Sequence, residues 1–247
     1  MSDEVIVYWT PVRFPEVTPA IDLAIHDLNN IVGEMSGDLP GRSTSIINCP
    51  AITGTLKNTF RVKSNLNYDL TWSDNGFHSS QKNQEFFNKY VKIRDTKTGL
   101  VSIDSLGMLF FTEAPSLIME VKNATYARNN FRSTSIFTEG SFDIGKWYRP
   151  TEISFFFMNK NSTVNICYDD SLYYVKFLTE KKVRLKKYHF TRNLADRLDG
   201  FIVNRDNIKD NFKDIKFINK LQKYYNAFEQ SRYKSYILKE IKNNLME

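Results

Sequence analysis

Residues 150–177 read PTEISFFFMNKNSTVNICYDDSLYYVKF. Three apolar runs, Ile153–Met158, Val164–Cys167 and Tyr173–Phe177, are each of strand length and rich in β-branched or aromatic residues. Asn159 to Ser162 separates the first two with side chains suited to a tight turn. Runs this short cannot carry a helical stripe, so the stretch reads as successive β-strands. Ile153–Met158 and Tyr173–Phe177 are nearly all apolar, which predicts neighbouring interior strands buried on both faces.

The same pattern covers residues 45–190. Further strands are expected at 45–49, 59–63, 69–72, 91–93, 106–112, 117–121, 142–144 and 183–188, with another at 4–9. Short strands broken by Asn, Gly, Asp and Ser indicate a sandwich or barrel. Thr18-Pro19 before Ile21, Ile25, Leu28, Val32 and Met35 predicts an N-terminal helix ended by Gly33 and Gly37. After Thr191 the period lengthens. Ile208, Phe212, Ile215, Leu221, Tyr225 and Phe228, then Tyr233, Ile237, Ile241 and Leu245, fit a helical face, with a break near Gln230-Ser231. The expected organisation is an N-terminal strand and helix (1–44), a β-rich domain (45–192) and a basic helical tail (193–247). The fold class is mainly β with one or two long C-terminal helices.

Composition excludes several classes. Hydrophobic residues make up 41% and aromatics 14% of the 247 residues, which suffices for a core and argues against disorder. No apolar run approaches the ~18 residues of a membrane span, and the acidic opening MSDEVIVYWTP does not read as a signal peptide. Cys49 and Cys167 share no metal or redox spacing and read as buried free thiols of an intracellular protein. Residues 181–247 hold 17 Lys+Arg against 8 Asp+Glu, a balance of +9 that exceeds the net charge of +6. The tail is therefore the basic part of the molecule.

The segment GSFDIGKWYRPTEISFFFMN followed by KNSTVNICYDDSLYYVKF, 38 residues from Gly140 to Phe177, resembles the central signature of the deoxyuridine triphosphatase and deoxycytidine triphosphate deaminase superfamily. The matching positions are Gly140, Asp143, Gly145, Trp147, Tyr148, Arg149, Asn159, Ile166, Asp170, Val175 and Phe177. The resemblance implies a β-clip type of fold. It also departs from that family. Phe156 stands where the deaminases have a catalytic Glu, and Pro150 where the triphosphatases have Gly. Arg132-Ser133 lies closer to the turn than their phosphate-binding Arg-Ser, and their glycine-rich C-terminal arm is absent. About three quarters of the chain also resembles an uncharacterised family of tailed phages of marine bacteria, through Val7–Pro11, Cys49–Ala51, Leu56–Phe60 and Phe142–Pro150. That resemblance implies a viral origin and no known activity.

The candidate residues follow from these readings. Asp143 could activate water or hold a sugar hydroxyl, with Tyr148 stacking and Arg149 binding phosphate; the more ordinary reading is a turn aspartate that accepts from nearby backbone. Trp147 and Arg149 are candidate ligand contacts, or an aromatic corner. Lys209, Lys213, Lys216, Lys220 and Lys223 form a stripe that suits phosphates or a solvated helix face. Tyr224, Tyr225, Tyr233 and Tyr236 beside it suit a protein interface. His26, His78 and His189 show no metal-ligand spacing, and the loop Gly37–Thr44 is not a phosphate-binding motif. No metal or cofactor is expected. The leading expectation is a non-catalytic structural or interaction protein of the infected host's cytoplasm or the virion, with protein or self-association. A nucleotide enzyme using Asp143, Tyr148 and Arg149, and a nucleic-acid-associated protein using the tail, are the alternatives.

Overall fold

The computed structural model describes residues 4–12, 29–30, 49–64, 66–200, 223–224, 228 and 232–246. The chain is mainly β, with three sheets among these residues. The first sheet runs β14 (Lys182–Lys187), β1 (Glu4–Pro11), β7 (Leu100–Thr112), β11 (Pro150–Phe157), β9 (Ser135–Phe137), with β6 (Val91–Asp95) beside the first half of β7. The second runs β10 (Gly140–Asp143), β8 (Ile118–Asn123), β13 (Ser171–Phe177), β3 (Thr59–Lys63), β2 (Asn29–Asn30). The third is β12 (Ser162–Ile166), β4 (Tyr68–Ser73), β5 (Gly76–His78). All pairings are antiparallel except β1 with β14.

Side-chain alternation along the strands builds the layers. On β1 and β7, Val7, Trp9, Met108 and Phe110 enter one apolar cluster, and Tyr8, Leu109 and Phe111 enter another. The first cluster is the core, which Ile153, Phe155 and Phe157 of β11, Met119 and Val121 of β8, and Tyr173, Val175 and Phe177 of β13 also enter. Phe137 stacks on Tyr173 across it, centroids 5.1 Å apart, and Leu70 and Val164 of the third sheet join it. The second cluster covers the outer face of the first sheet with Leu194 and Leu198, Phe228, and Ile237 and Ile241. Residues 192–200 are helical, α4, as are 223–224 and 228. The last helix, α5 (Arg232–Asn243), ends where His189 N–H donates to Asn244 O at 2.8 Å and Met246 N–H to Lys187 O at 2.9 Å. Three further helices are short: α1 (Pro50–Leu56), α2 (Gln84–Tyr90) and α3 (Asn130–Thr134).

Several expectations need correction. Strands β11 and β13 are not neighbours; they belong to the first and second sheets and face each other across the core. Burial of β11 alternates, because only its inward residues are fully enclosed, and Met158 is exposed. A continuous N-terminal helix cannot pass residues 29–30, which pair as a strand with Arg61 and Phe60. Cys49 and Cys167 are free but exposed rather than buried, since both fall where an element meets solvent. The rest of the N-terminal helix, the Gly37–Thr44 loop, His26 and Gln230-Ser231 lie outside the described residues, as does residue 45–48 of the strand expected at 45–49, of which Cys49 itself is not in a strand.

Candidate functional site

The turn that follows β10 holds the matched residues, and its geometry starts from one carboxylate. Asp143 Oδ1 accepts from the backbone N–H groups of Leu117 and Gly145, each at 3.0 Å. Its Oδ2 accepts from Ser116 Oγ at 2.7 Å, with Lys146 Nζ at 3.8 Å. An aspartate that binds the N–H two residues on closes a local turn; here it also ties that turn to the segment before β8. Gly145 allows the tie. A Cβ at this position would stand 2.6 Å from Ala114 O and 2.8 Å from Pro115 O. Only a glycine lets the two backbones pass so closely.

The next residues diverge. Ile144 is buried in the core. Tyr148 is fully buried on the opposite side of the sheet, edge-on to Phe111 with centroids 5.2 Å apart, and burial pushes its hydroxyl well above the ordinary tyrosine value. Trp147 packs on Phe142 at 5.0 Å, and the Arg149 guanidinium lies over its ring at 4.6 Å. Arg149 also donates to Glu152 Oε1 at 2.8 Å, while Arg94 donates to Glu152 Oε2 at 3.1 Å and to Ser102 Oγ at 2.9 Å. Ser102 and Ser154 share a hydrogen bond at 2.8 Å. Arg149 is thus one end of a polar ladder along the first sheet.

A residue that sequence reasoning passed over completes the junction. Lys234 of α5 is 6% exposed, and its Nζ donates to Gly145 O at 2.8 Å and Ala114 O at 3.0 Å. The ammonium also sits 5.8 Å from the Phe111 ring centroid. One helix therefore clamps the two loops that Asp143 joins. Near the far end of α5, Lys242 donates to Glu113 at 2.8 Å, and Tyr8 O–H donates to the same carboxylate. A signal for Lys234 existed. It precedes Ile237 and Ile241 by three and seven positions, which puts it on the buried stripe.

The structure therefore brings Asp143 and Lys234 to one junction, sends Tyr148 beneath the helices and turns Arg149 toward Glu152. Of the basic stripe, Lys223 is exposed and helical, and Lys209, Lys213, Lys216 and Lys220 lie outside the described residues. Among the described residues no group of His, Cys, Asp and Glu could hold a metal ion, and no helix is long and apolar enough to cross a membrane. No family model, curated protein or solved structure matches the chain.

Proposed function

We propose that this is a phage-encoded, non-catalytic structural or interaction protein: a β-clip type domain, residues 45–192, carrying a helical C-terminal tail, residues 193–247. The observation that carries the non-catalytic reading is the engagement of Asp143, Tyr148 and Arg149 within the chain. The carboxylate accepts three hydrogen bonds, the phenol is fully enclosed, and the guanidinium is held between Trp147 and Glu152. A base must reach its substrate's proton and a phosphate-binding arginine must keep its fork open. Neither condition favours this turn. The phage-like stretches around Val7–Pro11, Leu56–Phe60 and Phe142–Pro150 support a viral origin, and with it an expected location in the infected host's cytoplasm or the virion. Its partner is a protein or a second copy of the chain.

The test is turnover. Full-length protein with Mg²⁺ and each deoxynucleoside triphosphate should release neither pyrophosphate nor ammonia above background. Turnover that vanishes in Asp143→Asn, with the variant still folded, would instead establish the nucleotide enzyme.

A further inference from the structure

A groove opens beside α3, away from the Asp143 junction. Its volume is about 750 Å³, and its walls include Asn123, Arg128, Arg132, Ser133, Ile136 and Met158. Arg132 is fixed at its base: its N–H donates to the Asn129 side chain at 3.0 Å and its Nη1 to Ala127 O at 2.9 Å. Among the described residues no other group engages that guanidinium, which leaves its other N–H groups for an acceptor. Arg128 is exposed on the same wall, and among the described residues no carboxylate lines the groove. Glu139 stands at its margin, with its carboxylate accepting from Asn123 N–H at 3.0 Å. Beside the two guanidiniums, Ile136 and Met158 are 48% and 49% exposed. Large aliphatic side chains half in water next to two arginines form a surface with both apolar and cationic character.

We infer that this groove docks an extended acidic–apolar peptide segment of a partner protein, its carboxylates meeting Arg128 and Arg132 and its apolar side chains covering Ile136 and Met158. The inference rests on the interaction-protein reading above. Arginine forks match carboxylates in two-point geometry, and arginine and methionine are enriched at protein interfaces. A small ligand would need a site that encloses most of its surface, and this groove is open to solvent. A nucleic-acid strand would want aromatic platforms and a longer cationic track; no aromatic side chain lines the groove among the described residues.

The experiment uses the full chain and a fluorescein-labelled pool of degenerate hexapeptides alternating Asp/Glu with Leu/Ile/Phe. A Lys-for-acid pool and a labelled single-stranded oligodeoxynucleotide serve as competing probes. The acidic pool should bind saturably by anisotropy, and amide shifts should centre on residues 123–136. Arg128→Glu and Ile136→Ser should each weaken binding roughly tenfold or more, and Arg128→Lys should restore part of it. Absence of saturable binding, amide shifts elsewhere, equal binding of the Lys pool, or preference for the oligonucleotide would each overturn the inference. So would unchanged affinity in both folded variants. If either variant fails to fold, the wild-type shift map decides. Failure here leaves the turnover result untouched, so the two readings fall separately.

Discussion

Lys234 puts an ammonium where little water reaches, and the two carbonyls that receive it are the reason it can stay there. A buried charge is tolerated when its protons are accepted, and removing it strands the acceptors. Lys234→Met keeps the stem volume and leaves Ala114 O and Gly145 O unpaired. It should lower stability by about 1–3 kcal/mol, measured by urea denaturation. Gly145→Ala should cost about 1–3 kcal/mol through the clash with Ala114 O and Pro115 O, since a backbone neighbour cannot step aside as a flexible side chain does. Wild-type stability in both variants would mean the junction is not the constraint described. Asp143 was read from sequence as either a residue that activates water or holds a sugar hydroxyl, or a turn aspartate. Its bonds to Leu117, Gly145 and Ser116 favour the second, but only the partner from residue 145 is local enough to foresee.

At the scale of elements, α5 gains its stability from docking. An isolated helix of this length is marginal in water, and Ile237 and Ile241 are fully buried on the outer face of the first sheet. Phe228 joins them, edge-on to Phe111 and Tyr233 at 6.1 and 5.6 Å. Phe228→Ala should destabilise by about 3–5 kcal/mol, read from the shift in the denaturation midpoint; a loss near zero would show that the helical layer is not coupled to the sheet. Elements of this kind were legible because period and length agree. Residues 59–63 were expected as a strand and are β3 to the residue, and the stripe holding Ile237 and Ile241 was visible. Apart from the first half of β7, expected only from Leu106 but beginning at Leu100, what failed to show was short. Strands β5 and β9 have three residues each, and α1, α2 and α3 have seven, seven and five, too few for any period to register. The pairing of strands was also hidden. Apolar content told that β11 and β13 are interior, but not that they lie in opposite sheets, because either arrangement buries the same side chains.

For the whole molecule, burial of tyrosine sets a stability limit on the alkaline side. Tyr8, Tyr68, Tyr148, Tyr173 and Tyr188 all have hydroxyls raised above the ordinary value of 10.0, with burial the largest cause in each. Their neutral forms are favoured by folding. That stability is fully present below the unfolded value and is lost as pH rises toward the folded values. Tyrosinate absorbance should therefore rise in two phases, exposed rings first and the buried ones together with loss of near-ultraviolet circular dichroism. A single phase at the ordinary value with the fold retained would mean that these tyrosines are not enclosed in the folded state.

The turn that resembles a nucleotide site is a junction on which the last helix docks. Asp143 holds the N–H of Gly145 and Lys234 holds its carbonyl, so the two side chains share one residue. A double-mutant cycle of Asp143→Asn and Lys234→Met, read by urea denaturation of the two single variants and the pair, measures that sharing directly. Each single change should destabilise, and the double should depart from their sum by about 0.5–3 kcal/mol, as residues of one network do. Additivity within about 0.3–0.5 kcal/mol, or an Asp143→Asn variant as stable as the wild type, would mean the aspartate is held for something other than the helix.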